Sequence, residues 1–119
     1  MQDAIFNQKE AIDRIYDLDL INQLLAQFNE TLTAEVASLL NALENDDMHT
    51  AEQISHSLKG VAGNLSLIGI YQAATALNDA IKLSGSNTMD NFTNKLLEEI
   101  DRFNAWLPGY LSAFEQDIS

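Results

Sequence analysis

The chain contains no cysteine, a single proline, five glycines and only six basic side chains in 119 residues. Without cysteine there is no disulfide framework, thiolate metal site or thiol nucleophile. Six Lys and Arg stand against 18 Asp and Glu, for a net charge of −12. Such a chain repels a phosphate backbone, because nucleic-acid binding depends on basic side chains displacing counterions. DNA, RNA and anionic membranes are therefore poor partners. Long apolar runs are also missing: nothing approaches the roughly 18 residues of a membrane span. The opening MQDAIFNQKE has no basic region followed by an apolar one, as a secretory signal would. A cytoplasmic protein without direct membrane contact is the expectation.

What is present is hydrophobic residue at helical spacing. With 46% hydrophobic residues and no linker, repeat or low-complexity tract, residues 1–119 read as one domain. A domain of this size buries roughly two thirds of its unfolded surface. Ile21, Leu25, Phe28, Leu32, Leu39 and Leu43 keep one apolar face in line, which predicts a long helix over about 18 to 45. Before it, Ala4, Ile5, Ala11, Ile12 and Ile15 suggest a short amphipathic helix that could cover an end of a bundle. The run Glu44, Asn45, Asp46, Asp47 favours a turn and a helix N-cap.

Ala51, Ile54, Leu58, Val61 and Leu65 form a third stripe, and Gly63, Asn64, Ser66 and Gly69 are expected to loosen its end. Ile70, Ala74, Leu77 and Ile81 carry the next helix after a tight connection. Ser84, Gly85, Ser86 and Asn87 read as a loop, and Phe92, Leu96, Ile100, Phe103 and Leu107 as a last long helix. Pro108 and Gly109 mark its end or a kink. Strand signals are missing. The fold class is all-α: an antiparallel four-helix bundle with a short additional N-terminal helix.

The third helix carries the residues that point to chemistry. At 100° per residue, with Ile54 as zero, Leu58, Val61 and Leu65 fall within roughly 40° and face the core. His56 falls at about 200°, and Lys59, Gly60 and Gly63 at roughly 140°, 240° and 180°, around the imidazole on the outward face. An interior helical glycine costs about 1 kcal/mol relative to alanine. Clearance for a macromolecule approaching the ring accounts for Gly60. Gly63 has two readings, clearance or the start of unwinding toward Asn64. Lys59 is the only Lys or Arg between Arg14 and Lys82. Three residues after His56, its ammonium can neutralise charge gathering at the imidazole and favour the neutral, nucleophilic ring.

Other chemistries fit poorly. His49 lies two turns from His56, about 10 Å along the axis, too far to share one ion. His49 with Glu52 lacks the second Glu-and-His set of a bundle di-metal site. No glycine-framed serine nucleophile or Gly-rich phosphate loop is visible. No metal, cofactor or ATP site is expected.

The segment His56, Ser57, Leu58, Lys59, Gly60, continued by Ala62 and Gly63, resembles the histidine phosphotransfer (HPt) domain of bacterial multistep phosphorelays and hybrid sensor histidine kinases. The resemblance implies that His56 accepts a phosphoryl group on Nε2 from the aspartyl phosphate of a response-regulator receiver domain and passes it to another receiver. It assigns Lys59 as electrostatic partner and Gly60 as the clearance residue. It implies a carrier, not an autonomous kinase, with the receiver bringing its own acidic pocket and metal ion, and a monomer that either stands alone or forms the cytoplasmic C-terminal module of a membrane sensor kinase. Docking is expected to bury an apolar rim from the ends of the first two helices and from the fourth. Family members often carry Glu or Gln 22 residues after the histidine to hold the other ring nitrogen. Here that position is Asn78, a candidate hydrogen-bond partner of the imidazole or an ordinary exposed helix residue. Ser66 replaces a family glycine ten residues after the histidine and is expected to cap the following helix, with Gly69 supplying flexibility. The alternative function is a helical-bundle adaptor that never carries phosphate. A bundle enzyme using His56 as general base ranks last, because no convergent acids accompany it.

Overall fold

The computed structural model describes residues 5–84 and 89–118. The helices run in the order α1 (Gln8–Ile15), α2 (Leu18–Glu44), α3 (Met48–Asn64), α4 (Ile68–Ser84) and α5 (Met89–Ile118). Among the described residues there is no strand, and no helix is long and apolar enough to cross a membrane. Ala4 and the expected loop residues Gly85, Ser86 and Asn87 lie outside the described residues, and Ser84 closes α4.

Polar side chains start three of the helices. Asn7, Asp17 and Asp47 each accept from the backbone N–H three residues on, at Glu10, Leu20 and Thr50, at 3.1, 3.1 and 3.2 Å, satisfying a donor that the first helical turn leaves open. The ends of α1, α2 and α3 use no glycine. Tyr16, Asp46 and Ser66 adopt positive φ of 67°, 60° and 57°, a conformation that costs a non-glycine residue about 1–2 kcal/mol. After α2, Asp47 N donates to Ala42 O at 2.8 Å and Asp46 N to Leu43 O at 3.2 Å. After α3, Leu67 N donates to Ala62 O at 2.9 Å and Ser66 N to Gly63 O at 3.2 Å. Both pairs are Schellman closures, which recover orphan carbonyls.

Two expectations about this turn are corrected. The helix stays regular through Gly63 and Asn64, and the left-handed residue is Ser66 itself. The Ser66 hydroxyl does not cap α4. It accepts from Arg14 Nη1 at 2.9 Å and donates to Glu10 Oε1 at 3.3 Å. Gly69 lies inside the first turn of α4 and makes room for the buried Glu99: a Cβ there would land on Glu99 Oε1, 2.9 Å from Cδ.

Helix α2 packs on α3 and α5, α3 on α4 and α4 on α5, which closes the bundle, and α1 lies on α2. The core takes Leu25, Phe28, Leu32 and Leu39 from α2, Leu58 from α3, Leu77 from α4 and Leu96, Phe103 and Leu107 from α5. Leu43 and Phe92 pack at its edge. Ile5, expected within the first helix, precedes it. Its carbonyl accepts from Ile68 N at 3.1 Å, while the Phe6 ring packs tilted against Trp106 and edge-on to Tyr110. The last helix does not end at Pro108 but runs on to Ile118. Asn104, whose carbonyl loses its helical partner to the proline, is exposed together with Pro108, on a side of the helix where solvent can take the place of the missing N–H.

Candidate functional site

His56 sits in the middle of α3 with its side chain exposed. The residues of this stretch that turn inward are Ala51, Ser55, Leu58, Ala62 and Leu65, all at 3% exposure or less, whereas Val61 is 38% exposed and Ile54 only half-buried. The buried face is therefore centred about 60° from Ile54, rotated toward Ser55. The expectation for Val61 is corrected accordingly. The cause is on α4, where Asn78 is fully buried and donates from Nδ2 to Ser55 Oγ at 2.9 Å and to Glu52 O at 3.0 Å. A polar partner at that depth lets Ser55 occupy a core position, since a buried hydroxyl without one carries a desolvation cost.

This rotation recentres the outward face on Gly60. Gly60 stands roughly opposite the core direction and His56 beside it, at about 180° and 140°. Lys59, at about 80°, is half-buried, as expected for an ammonium carried on an apolar stem. Among the described residues no hydrogen bond or ion pair ties down either His56 or Lys59. The imidazole faces solvent with an ammonium one turn away.

The two glycines on this face differ. A Cβ at Gly60 would meet nothing within 4 Å, so no internal packing demands the glycine. At Gly63 a Cβ would lie 3.2 Å from two ring carbons of Tyr71. Gly63 is thus the seat of the Tyr71 ring, a third reading beyond clearance and unwinding. Asn78, taken from the sequence as a partner of His56 or an exposed residue, is neither in this structure. Its Nδ2 is spent on α3, and its Oδ1 is buried without a partner.

Apolar surface accompanies the face. Ile15, Leu24, Phe28, Val61 and Leu65 line a groove of about 510 Å³ between α1, α2 and α3. Tyr16, Leu20 and Tyr71 are 84%, 42% and 42% exposed. His49 is exposed at the start of α3, and no group of three His, Cys, Asp or Glu able to hold a metal exists among the described residues. Sequence reasoning missed Tyr71, Ser55 and Arg14. Of these only Ser55 left a signal, a small polar residue one step from the stripe.

A family model described as Hpt domain matches residues 23–106, a span that includes His56, Lys59, Gly60 and Asn78. No curated protein sequence matches the chain. Among solved structures, the crystal structure of the HPT domain from an Hpt sensor hybrid histidine kinase of Shewanella is similar, with a TM-score of 0.81 and 17% identity over 92% of this chain and 95% of that one. At that identity the likeness speaks for the fold.

Proposed function

Because the chain belongs to the Hpt domain family, whose members are phosphocarriers that work with receiver domains in phosphorelays, we propose that His56 is the residue that carries the phosphoryl group. The observation that supports this most is the exposed, unengaged imidazole beside a glycine with open space above it. In this reading the lone pair of His56 Nε2 attacks the phosphorus of a receiver's aspartyl phosphate in line. The N–P bond forms as the P–O bond to aspartate breaks, the carboxylate leaves, and Nδ1 releases its proton to water. Lys59 offsets charge on the phosphoryl oxygens, and Gly60 admits the receiver's surface. Onward transfer runs in reverse: a carboxylate oxygen of the next receiver attacks, the N–P bond breaks and the ring regains its proton. Catalysis of this kind is positioning and charge stabilisation more than covalent machinery.

The groove lined by Ile15, Leu24, Phe28, Val61 and Leu65, together with the exposed Tyr16 at the end of α1 and Leu20 at the start of α2, supplies apolar area for receiver docking. We read residues 1–119 as one carrier module that acts as a monomer in the cytoplasm.

The test incubates the protein with a panel of receiver domains phosphorylated on aspartate and follows acid-labile, alkali-stable label. Label on the wild type and none on His56→Gln is expected. Label persisting on His56→Gln overturns the site assignment. A wild type that no receiver labels, and that phosphoramidate does not label either, favours a non-phosphorylated adaptor.

A further inference from the structure

The corner between α3 and α4 is held by the N-terminal segment. Arg14, on α1, brings one guanidinium nitrogen, Nη1, to three acceptors: Gly63 O at 2.7 Å, Ser66 Oγ at 2.9 Å and Asn64 O at 3.3 Å. Two of these are the last carbonyls of α3, where a cation also meets the negative end of the helix dipole. The third belongs to the residue held at φ 57°. The Ser66 hydroxyl donates in turn to Glu10 Oε1 at 3.3 Å. Backbone bonds complete the strap, Asn7 N to Ser66 O at 2.9 Å and Ile68 N to Ile5 O at 3.1 Å. A glycine would adopt this corner unaided. A serine needs the surrounding structure to impose it, and Arg14 with Glu10 supplies that constraint.

The corner borders the face that carries His56. Gly63 lies on that face, the Tyr71 ring rests against it, and Arg14, Gly63, Ser66 and Tyr71 share the walls of one cavity of about 410 Å³. We infer that Arg14 is a positioning residue for phosphoryl transfer: it acts through Ser66, fixing the α3–α4 corner and with it the Gly63–Tyr71 border in the shape a receiver meets. The inference rests on the phosphocarrier reading of His56. It gives α1, which lies outside the matched span 23–106, a part in the site.

The test compares four full-length proteins: wild type, Arg14→Ala, Ser66→Gly and the double variant. Arg14→Ala is expected to raise the KM for a phosphorylated receiver about tenfold with kcat within about twofold, and to speed amide exchange at Asn7 and Ile68 about tenfold while the core amide of Leu77 stays protected. Ser66→Gly alone keeps wild-type transfer. Added to Arg14→Ala, it restores both KM and exchange, because the glycine no longer needs the guanidinium to hold the turn. Phosphoramidate, which needs no docking face, reports whether His56 remains reactive. A double variant as defective as Arg14→Ala shows that Arg14 does not act through Ser66 and overturns the inference. So does Arg14→Ala with wild-type KM and exchange. If neither receiver nor phosphoramidate labels the wild type, the phosphocarrier reading fails, and the exchange data still judge the Arg14–Ser66 coupling.

Discussion

Gly60 offers a substitution in which stability and function should move in opposite directions. It lies inside α3, and a Cβ there would meet nothing within 4 Å. Alanine should therefore bring its full helix-propensity advantage, about 1 kcal/mol, with no steric offset. For a chain of this length that raises Tm by about 4 °C. Leucine is nearly as good a helix former and should keep most of the gain. Each added carbon, however, takes up space beside His56 that an approaching receiver needs. Transfer from a phosphorylated receiver should then fall from wild type to Gly60→Ala to Gly60→Leu, by about tenfold or more at the last step, the equivalent of about 1.4 kcal/mol in the barrier. Thermal melts followed by Trp106 fluorescence and single-turnover transfer measure the two quantities on the same samples. Gly63→Ala is the control: its Cβ would press to 3.2 Å on the Tyr71 ring, so its Tm should rise less than that of Gly60→Ala. A Gly60→Ala variant no more stable than wild type, or a Gly60→Leu variant that transfers at the wild-type rate, would refute the reasoning.

Gly69→Ala should destabilise by about 1–2 kcal/mol, the overpacking cost exceeding the propensity gain, because its Cβ displaces a Glu99 carboxylate held by Lys95 Nζ and Arg102 Nη1, each at 2.9 Å. Chemical denaturation in a Glu99→Ala background should remove that cost, and an undiminished cost there would show that the clash is not its source. Asp47 caps α3, and its hydrogen bonds to the Thr50 side chain and N–H hold its carboxyl below the ordinary 3.8, with His49 helping. The charged form is thus favoured in the folded state, so its contribution is present above 3.8 and is lost as pH falls through the lowered folded value. The stability difference between wild type and Asp47→Asn, read from urea midpoints at about pH 7 and about pH 3, should shrink at the lower pH, and an equal difference at both would exclude this role.

The helices were legible because their determinants are local. Apolar spacing located α2 to within one residue of its observed end, and the acidic run ahead of α3 contains its cap, Asp47. The class of fold followed, since four one-sided helices with short connections have few ways to bury their faces. What escaped depends on neighbours distant in sequence. The rotation of α3 is set by Asn78, 23 residues after Ser55. The persistence of α5 past Pro108 is set by which side of the helix faces water. Ser66 in place of a glycine reads from sequence as a weakness of the turn, whereas Arg14, 52 residues away, supplies the missing constraint.

The candidate site shows the same division at finer scale. Its proposed nucleophile, cation and clearance residue lie within five consecutive positions of one helix, so the 100° step alone brings His56, Lys59 and Gly60 to one side. Asn78 has to reach across from α4, and there side-chain length decides. Its amide ends one methylene short of a glutamine's, and from a fully buried position it meets Ser55 and Glu52 rather than the exposed ring. The same contact then does two things. It draws Ser55 into the core, and because the residues of a helix turn together, it sets Gly60 opposite the core and leaves His56 beside it, about 140° from the core direction. It also leaves His56 without a side-chain partner from α4, so that in the proposed transfer water, not α4, takes the proton the ring sheds when Nε2 is phosphorylated.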